Sequence, residues 1–282
     1  MNFLFVYNKK AGKKFKASIV ETISARIPAS IEHQFIDIRA LKHSINLENY
    51  DAFVAIGGDG TVNTVAALAY KLNKTLAIIP KGSGDGLARF LHIPRNIKKA
   101  LDVVLREEII SIDIGLDYNH FFVNVAGAGF EAEVAHKFGA SGIRGIWGYI
   151  KTIIGIFKNH NEKLISLEVD GESIETTFFS LSIANGAQWG NNFKIASKAD
   201  IQDGFFDIAI MKKPKFYQIP ILLAYLRNNK QGNNSLFTYF KAAKIDIQKS
   251  GKIWHLDGEP LVLKNKKSIR IEHQSLKTII AE

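Results

Sequence analysis

The chain has 282 residues, 46% hydrophobic and 23% charged, the mix of an ordinary globular protein with length for about two domains. It contains no cysteine, which excludes disulfides, thiolate catalysis and Cys-based zinc sites. Its formal charge of +10 implies attraction to a polyanion, and charge alone does not separate a nucleic acid, a nucleotide and the anionic face of a membrane.

Residues 2–7 read as a first strand, too short for a signal peptide and without a basic leader, so the expected compartment is the cytoplasm. A basic loop, Asn8-Lys9-Lys10-Ala11-Gly12-Lys13, leads to a helix over residues 15–27 that stops at Pro28, and residues 32–38 form a second strand. Residues 53–56 are an apolar run stopped by Gly57-Gly58-Asp59-Gly60-Thr61. After it, Val62, Val65, Ala66, Leu68 and Ala69 recur at helical spacing up to residue 72. A strand over 75–79, the loop Pro80-Lys81-Gly82-Ser83-Gly84-Asp85-Gly86 and helical patterns over 87–91 and 97–106 follow. Strands alternating with helices predict a parallel sheet covered on both faces, its ligand at the carboxyl ends of the strands, where the loops after Tyr7, Ile56 and Ile79 meet.

From about residue 109 the pattern becomes short strands, at 109–116, 121–126, 164–169, 176–184, 205–211, 245–248, 252–256, 260–264 and 268–272, which predict a second, mainly antiparallel β domain. Two apolar helical segments interrupt it, at 143–157 and 216–226, each with basic residues nearby. Neither reaches the roughly 20 apolar residues of a spanning helix. Their pattern favours core helices over lipid-facing surface.

The turn from Gly57 to Thr61 joins a strand to a helix. Glycines let a backbone approach an anion with no Cβ in the way, and the free N–H groups of the next helix add a partial positive charge. Three glycines exceed what a plain turn capped by Thr61 needs, so the stretch points to a polyphosphate. Asp59 within it argues for a metal as well, since a bare carboxylate repels phosphate.

This pentapeptide resembles the nucleotide signature shared by diacylglycerol, sphingosine and ceramide kinases, NAD kinases and, more distantly, phosphofructokinases. The loop from Asn8 resembles the Asn-Pro-x-Ala/Ser-Gly-Lys start of the lipid kinases, with Lys9 in place of proline. Gly82-Ser83-Gly84-Asp85 is similar to the Gly-Ser-Gly-Asn of sphingosine kinases, with an acid where the amide is usual. Further blocks are Gly127-Ala128-Gly129-Phe130-Glu131, Ala184-Asn185-Gly186, Asp203-Gly204-Phe205-Phe206-Asp207 and Leu256-Asp257-Gly258-Glu259-Pro260, in family order; NAD kinases are expected to lack this second half. Two departures are Thr64, where the family has Glu, and Asp37, near which its Thr is replaced.

The resemblance implies an N-terminal three-layer α/β nucleotide-binding domain, residues 1–113 joined by the tail 275–282, and a C-terminal mainly antiparallel β-sandwich lipid-substrate domain, residues 114–274. It implies an ATP- and Mg²⁺-dependent lipid kinase. Asn8, Gly57, Gly58, Asp59, Gly60, Thr61, Asn63 and Ser83 hold the nucleotide, with Asp59 helping to place Mg²⁺. Glu259 with Asp257 deprotonates the acceptor hydroxyl, although Asp170-Gly171-Glu172 offers the same tripeptide. Asp203, with carbonyls of Asp200 and Phe205, holds a structural Mg²⁺. The expected partners are a lipid substrate and the anionic inner face of the membrane, not nucleic acid, and a homodimer is an open expectation. The rival readings are a kinase of a soluble acceptor, similar to NAD kinase, and a non-catalytic nucleotide-sensing lipid-binding protein.

Overall fold

The computed structural model describes residues 1–9, 17–41, 46–82, 84–117, 120–140, 146–190, 193–228, 232, 234–249, 251–262 and 267–281. Ser83 and Lys10 to Lys13 lie outside the described residues. The chain divides into two compact units, Met1–Asp113 with His273–Glu282, and Ile114–Glu272.

In the first unit β1 (Phe3–Tyr7), α1 (Ala17–Ser24), β2 (His33–Asp37), β3 (Ala52–Gly57), α2 (Asp59–Lys71), β4 (Thr75–Pro80), α3 (Gly86–Phe90) and α4 (Ile97–Arg106) follow in turn. β1 pairs in parallel with β2 and β3, and β3 with β4. β3 and β4 are buried along their whole length, as the centre of a sheet covered on both faces must be. Tyr7 faces Ile56 and Ile56 faces Ile79, so the chain leaves β1, β3 and β4 side by side at Asn8, Gly58 and Lys81. α4 closes one face with Ala100, Leu101, Val103 and Val104, and its first turn is capped by Asn96 Oδ1, which accepts the N–H groups of Lys98 and Lys99.

β5 (Ile109–Asp117) carries the chain onward to β6 (His120–Phe122), β7 (Val125–Gly129), α5 (Phe130–Ala140), α6 (Ile146–Asn159), β8 (Lys163–Val169), β9 (Glu172–Phe178), β10 (Ser180–Ala184), β11 (Gln188–Gly190) and β12 (Phe193–Lys194). β13 (Phe206–Met211), α7 (Ile219–Arg227), β14 (Phe237–Ala242), β15 (Lys244–Lys249), β16 (Ile253–Leu256), β17 (Glu259–Val262) and β18 (Lys267–Ile279) complete the order. The second unit is an antiparallel β-sandwich: one sheet runs β14-β13-β10-β7-β16-β17, and β9, β8, β15 and the start of β18 form the other. Alternation fills the space between them. Phe206, Ile208 and Ile210 of β13 face a core shared with Leu167, Phe178, Ile245 and Trp254. Ala209 and Met211 face the opposite side, against Leu222 and Leu226 of α7.

Three sequence expectations change here. The single strand expected over 176–184 is two strands in different sheets, broken at Phe179, whose N–H goes to Met211 O and whose C=O accepts Phe130 N–H and a bond with His160 Nε2. α5 was not expected, because its buried positions Ala132 and Val134 make no i, i+3, i+4 stripe. α7 is only half a core helix: Leu222 and Leu226 are buried, while Ile221 and Leu223 are exposed.

Candidate active site

β3 ends at Gly57 and α2 begins at Asp59, so the N-cap is Gly58, which has no side chain to satisfy the first N–H groups of the helix. The glycine loop after β4 packs against it. A Cβ on Gly82 would lie 2.5 Å from Gly58 Cα, and one on Gly58 would lie 3.0 Å from Gly82 Cα. The two backbones touch only because both residues are glycine, and Lys81 N–H ties the loops by donating to Gly57 O at 2.8 Å. An uncapped helix terminus flanked by bare backbone is a cradle for phosphate.

Asp59 braces this cradle. Its Oδ1 accepts Gly86 N–H at 2.7 Å and its Oδ2 accepts Asp85 N–H at 3.1 Å, so the carboxylate holds the start of α3. Burial raises its pKa, opposed by those two N–H groups and by the Arg89 charge. Asp85 adopts a left-handed φ of 52° and is 2% exposed; its Oδ1 accepts Gly82 N–H at 2.8 Å and its Oδ2 lies 3.2 Å from Arg95 Nη2. Asn could replace the first contact but not the second. The acid in place of the usual amide is therefore matched by an arginine, which also donates to Gly82 O.

Thr61 is buried, with Oγ1 2.5 Å from where a Gly57 Cβ would stand, so its side chain packs under the turn. Asn63 and Asn8 are half-buried, in α2 and at the end of β1. Thr64 is exposed and its hydroxyl donates back to Gly60 O at 2.9 Å. Asp37 ends β2, where Oδ1 accepts Arg39 Nε at 2.7 Å and Oδ2 accepts Lys9 N–H at 3.3 Å; the Arg39 side chain is the main reason its carboxyl lies far below the usual range. The sequence reading missed Arg39, in the helical turn directly after β2, and Arg95, between α3 and α4, because each is an isolated basic residue without periodic signal.

In the second unit, Asp257 and Gly258 form a two-residue hairpin turn between β16 and β17, with φ values of 49° and 84°. Asp170 and Gly171 repeat it between β8 and β9, with φ values of 48° and 95°. Both aspartates anchor their turns. Asp170 Oδ1 accepts Lys244 N–H at 3.0 Å, whereas Asp257 accepts the N–H groups of Val123, Asn124 and Val125 at 2.8 to 3.0 Å. Asp257 therefore holds the hairpin in place, and Glu259 lies exposed beside it.

Behind the turn, Gly258 N–H donates to His255 Nδ1 at 3.3 Å, which leaves His255 Nε2 to carry its proton toward Glu131 Oε1 at 3.6 Å. Ser182 Oγ donates to the same carboxylate at 3.0 Å. Burial pushes the Glu131 carboxyl up, against the His255 and Ser182 contacts. A Cβ on Gly127 would fall 1.8 Å from Glu131 Oε1, so the longer acid is accommodated only over a glycine. His255 was also missed in the sequence; its signal was its place two residues before the turn.

The cation set expected at Asp203 is occupied differently. Asp203 Oδ1 accepts Phe205 N–H at 2.9 Å, its Oδ2 pairs with Lys241 Nζ, and that ammonium also lies 3.7 Å from Asp207 Oδ2. Asp200 Oδ1 accepts Gln202 N–H at 3.0 Å. Among the described residues no cluster of three His, Cys, Asp or Glu is arranged for a metal. The Lys241 ammonium therefore competes with a divalent ion for the Asp203 carboxylate, the one side-chain ligand of the expected site. The nucleotide-free wild type is thus expected to shift its Tm by less than about 1 °C on adding Mg²⁺, whereas Lys241→Met melts lower and is partly rescued by Mg²⁺. A wild-type shift of several degrees that Asp203→Asn abolishes would restore the metal site.

The α/β unit carries an uncapped helix N-terminus beside two glycine loops, and the β-sandwich unit an exposed acid on an anchored hairpin, features that fit a transferase. Residues 2–116 match the family described as the diacylglycerol kinase catalytic domain, and residues 124–279 the one described as the YegS C-terminal NAD kinase beta sandwich-like domain. The chain belongs to the diacylglycerol kinase family, which places it among lipid kinases. The second description likens the sandwich to NAD kinase, correcting the expectation that NAD kinases lack this half. The diacylglycerol kinases of Staphylococcus aureus strains JH9 and Newman are each 26% identical over 280 residues, covering 90% of this chain and 84% of theirs. The crystal structure of a diacylglycerol kinase from Bacillus anthracis str. Sterne shares the fold, with a TM-score of 0.77 at 22% identity over 99% of this chain and 97% of that one.

Proposed function

We propose that the protein transfers the γ-phosphoryl group of ATP to the hydroxyl of a diacylglycerol-like or sphingoid-like lipid. The observation that carries this reading is the contact of Gly58 with Gly82 beside an α2 whose first N–H groups have no side-chain cap, bare backbone of the kind that binds phosphate. The phosphates rest on the first N–H groups of α2, lined by Asn8, Gly57, Gly58, Gly60 and Asn63, with Asp59 and Thr61 shaping the loop from behind. Mg²⁺, arriving with the nucleotide, would offset the polyphosphate charge. Glu259 accepts the proton of the acceptor hydroxyl as its oxygen bonds to phosphorus and ADP leaves, and Asp257 positions that acid. The rate enhancement comes from positioning and charge neutralisation.

Among the described residues no helix is long and apolar enough to cross a membrane. The reading has the enzyme visit the anionic inner face of a membrane from the cytoplasm, drawn there by its net charge of +10. ATP turnover measured side by side with diacylglycerol, sphingosine, ceramide and NAD tests it. A phosphorylated lipid is expected. Phosphorylation of NAD alone would assign a soluble acceptor, and ATP binding without turnover on any acceptor would assign a nucleotide-sensing lipid binder.

A further inference from the structure

A helix with apolar residues all round is ordinarily buried on every side. α7 is not. Leu222 and Leu226 pack into the core with Met211 and Phe237, while Pro220, Ile221, Leu223 and Ala224 are exposed. Ahead of it, in the turn Phe216–Gln218, Phe216 is 75% and Tyr217 69% exposed, and Ile221 is 69% exposed one helical turn further on. The Phe216 ring lies 6.5 Å from that of Phe157 on α6, and Ile154, three residues before Phe157, is 52% exposed. The apolar surface thus extends over two elements.

Its charge is one-sided. Residues 208–245 contain no Asp or Glu, and Lys212, Lys215 and Arg227 bracket the exposed apolar side chains and are themselves exposed. Lys215 Nζ lies 6.0 Å over the Tyr217 ring. Lys213 fastens the segment to the unit: its Nζ donates to His160 O and its N–H donates to Glu162 Oε1 at 2.8 Å. A two-fold pairing of this face with a second copy would set cations against cations with no acid in the segment to meet them. Lipid phosphates supply the missing charge, and the headgroup boundary receives the aromatic and aliphatic tips.

We propose that residues 216–227, with Ile154, dock the protein on an anionic bilayer: Phe216, Tyr217, Ile221 and Leu223 enter the headgroup boundary while Lys212, Lys215 and Arg227 meet lipid phosphates. The choice of a membrane as partner rests on the lipid-kinase reading. The test uses the full chain with vesicles of phosphatidylcholine alone or mixed with phosphatidylglycerol. Wild type sediments with the anionic vesicles and is released by salt. The Phe216→Ser/Ile221→Ser variant, altered only at exposed side chains, loses at least about tenfold in partition. Because the chain has no cysteine, Ile221→Cys carries a single environment-sensitive fluorophore, whose emission shifts to the blue on anionic vesicles.

On a short-chain monomeric diacylglycerol the Ser variant matches wild type, and on vesicle-borne acceptor it falls behind. Vesicle binding by the Ser variant within about twofold of wild type overturns the docking face, as does an unshifted fluorophore. So does a variant that loses self-association in sedimentation but keeps its vesicle binding, which hands the face to a second copy. Failure of wild type on every acceptor, with vesicle binding lost in the variant, strikes the kinase reading and leaves the docking face standing.

Discussion

Glu259→Gln is expected to lower the phosphoryl-transfer rate about 10²- to 10⁴-fold with ATP affinity kept, and Glu172→Gln to leave the rate unchanged. The pair is informative because the two hairpins are alike: the same Asp-Gly-Glu, the same two left-handed residues, and an aspartate accepting backbone N–H groups from a neighbouring segment. They differ in what stands behind them. The second hairpin is held by three successive N–H groups on Asp257 and by the chain Gly258, His255, Glu131 and Ser182. Glu to Gln removes the proton acceptor at nearly constant shape, so folding is not at stake on an exposed turn. Single-turnover rates with saturating ATP read the effect. Equal losses from both variants, or a normal rate for Glu259→Gln, would remove Glu259 from the reaction. Asp257 would not inherit the role, because its oxygens already serve three donors.

Asp59→Ala is expected to lower stability by about 2 kcal/mol and to weaken ATP binding and turnover together, by at least about 100-fold in turnover. The sequence points to Asp59 only as a helper in placing Mg²⁺, and the structure gives it a bracing role besides. Truncation leaves Asp85 N–H and Gly86 N–H without their acceptor, at about 1–3 kcal/mol each, offset by no longer burying a carboxylate. It also releases the second glycine loop, whose Gly82 must lie against Gly58 for the cradle to exist. Because burial raises the Asp59 pKa, the folded state holds its proton longer than the unfolded chain. Its contribution to stability is greatest below the ordinary carboxylate pKa and is lost as pH rises through the raised value. Asp59→Asn should flatten that part of the pH profile. Thermal melts and nucleotide titrations of both variants check this, and a wild-type melting curve with normal ATP affinity for Asp59→Ala would show that the brace is dispensable.

The alternation of β1, β2, β3 and β4 with helices was legible because strands at the centre of a parallel sheet are continuous apolar runs, and because a strand stopped by Gly57 and Gly58 leaves few alternatives. Both Asp-Gly turns were legible for a similar reason: a two-residue hairpin demands left-handed dihedrals that few residue types tolerate. Those are local constraints of period and dihedral angle, and the amino-acid order states them directly.

What each carboxylate does was decided only by the tertiary structure. Asp59 reaches N–H groups 26 and 27 residues away, Asp257 reaches donors 132 to 134 residues away, and Asp203 meets Lys241 across 38 residues. Nothing in the three acids distinguishes a brace, an anchor and half of an ion pair. The outward side of α7 was hidden likewise, since an apolar helical pattern records hydrophobicity but not whether a neighbour covers it. A carboxylate's role depends on which donor comes within about 3 Å of its oxygens, and chain topology sets that distance where residue pattern cannot.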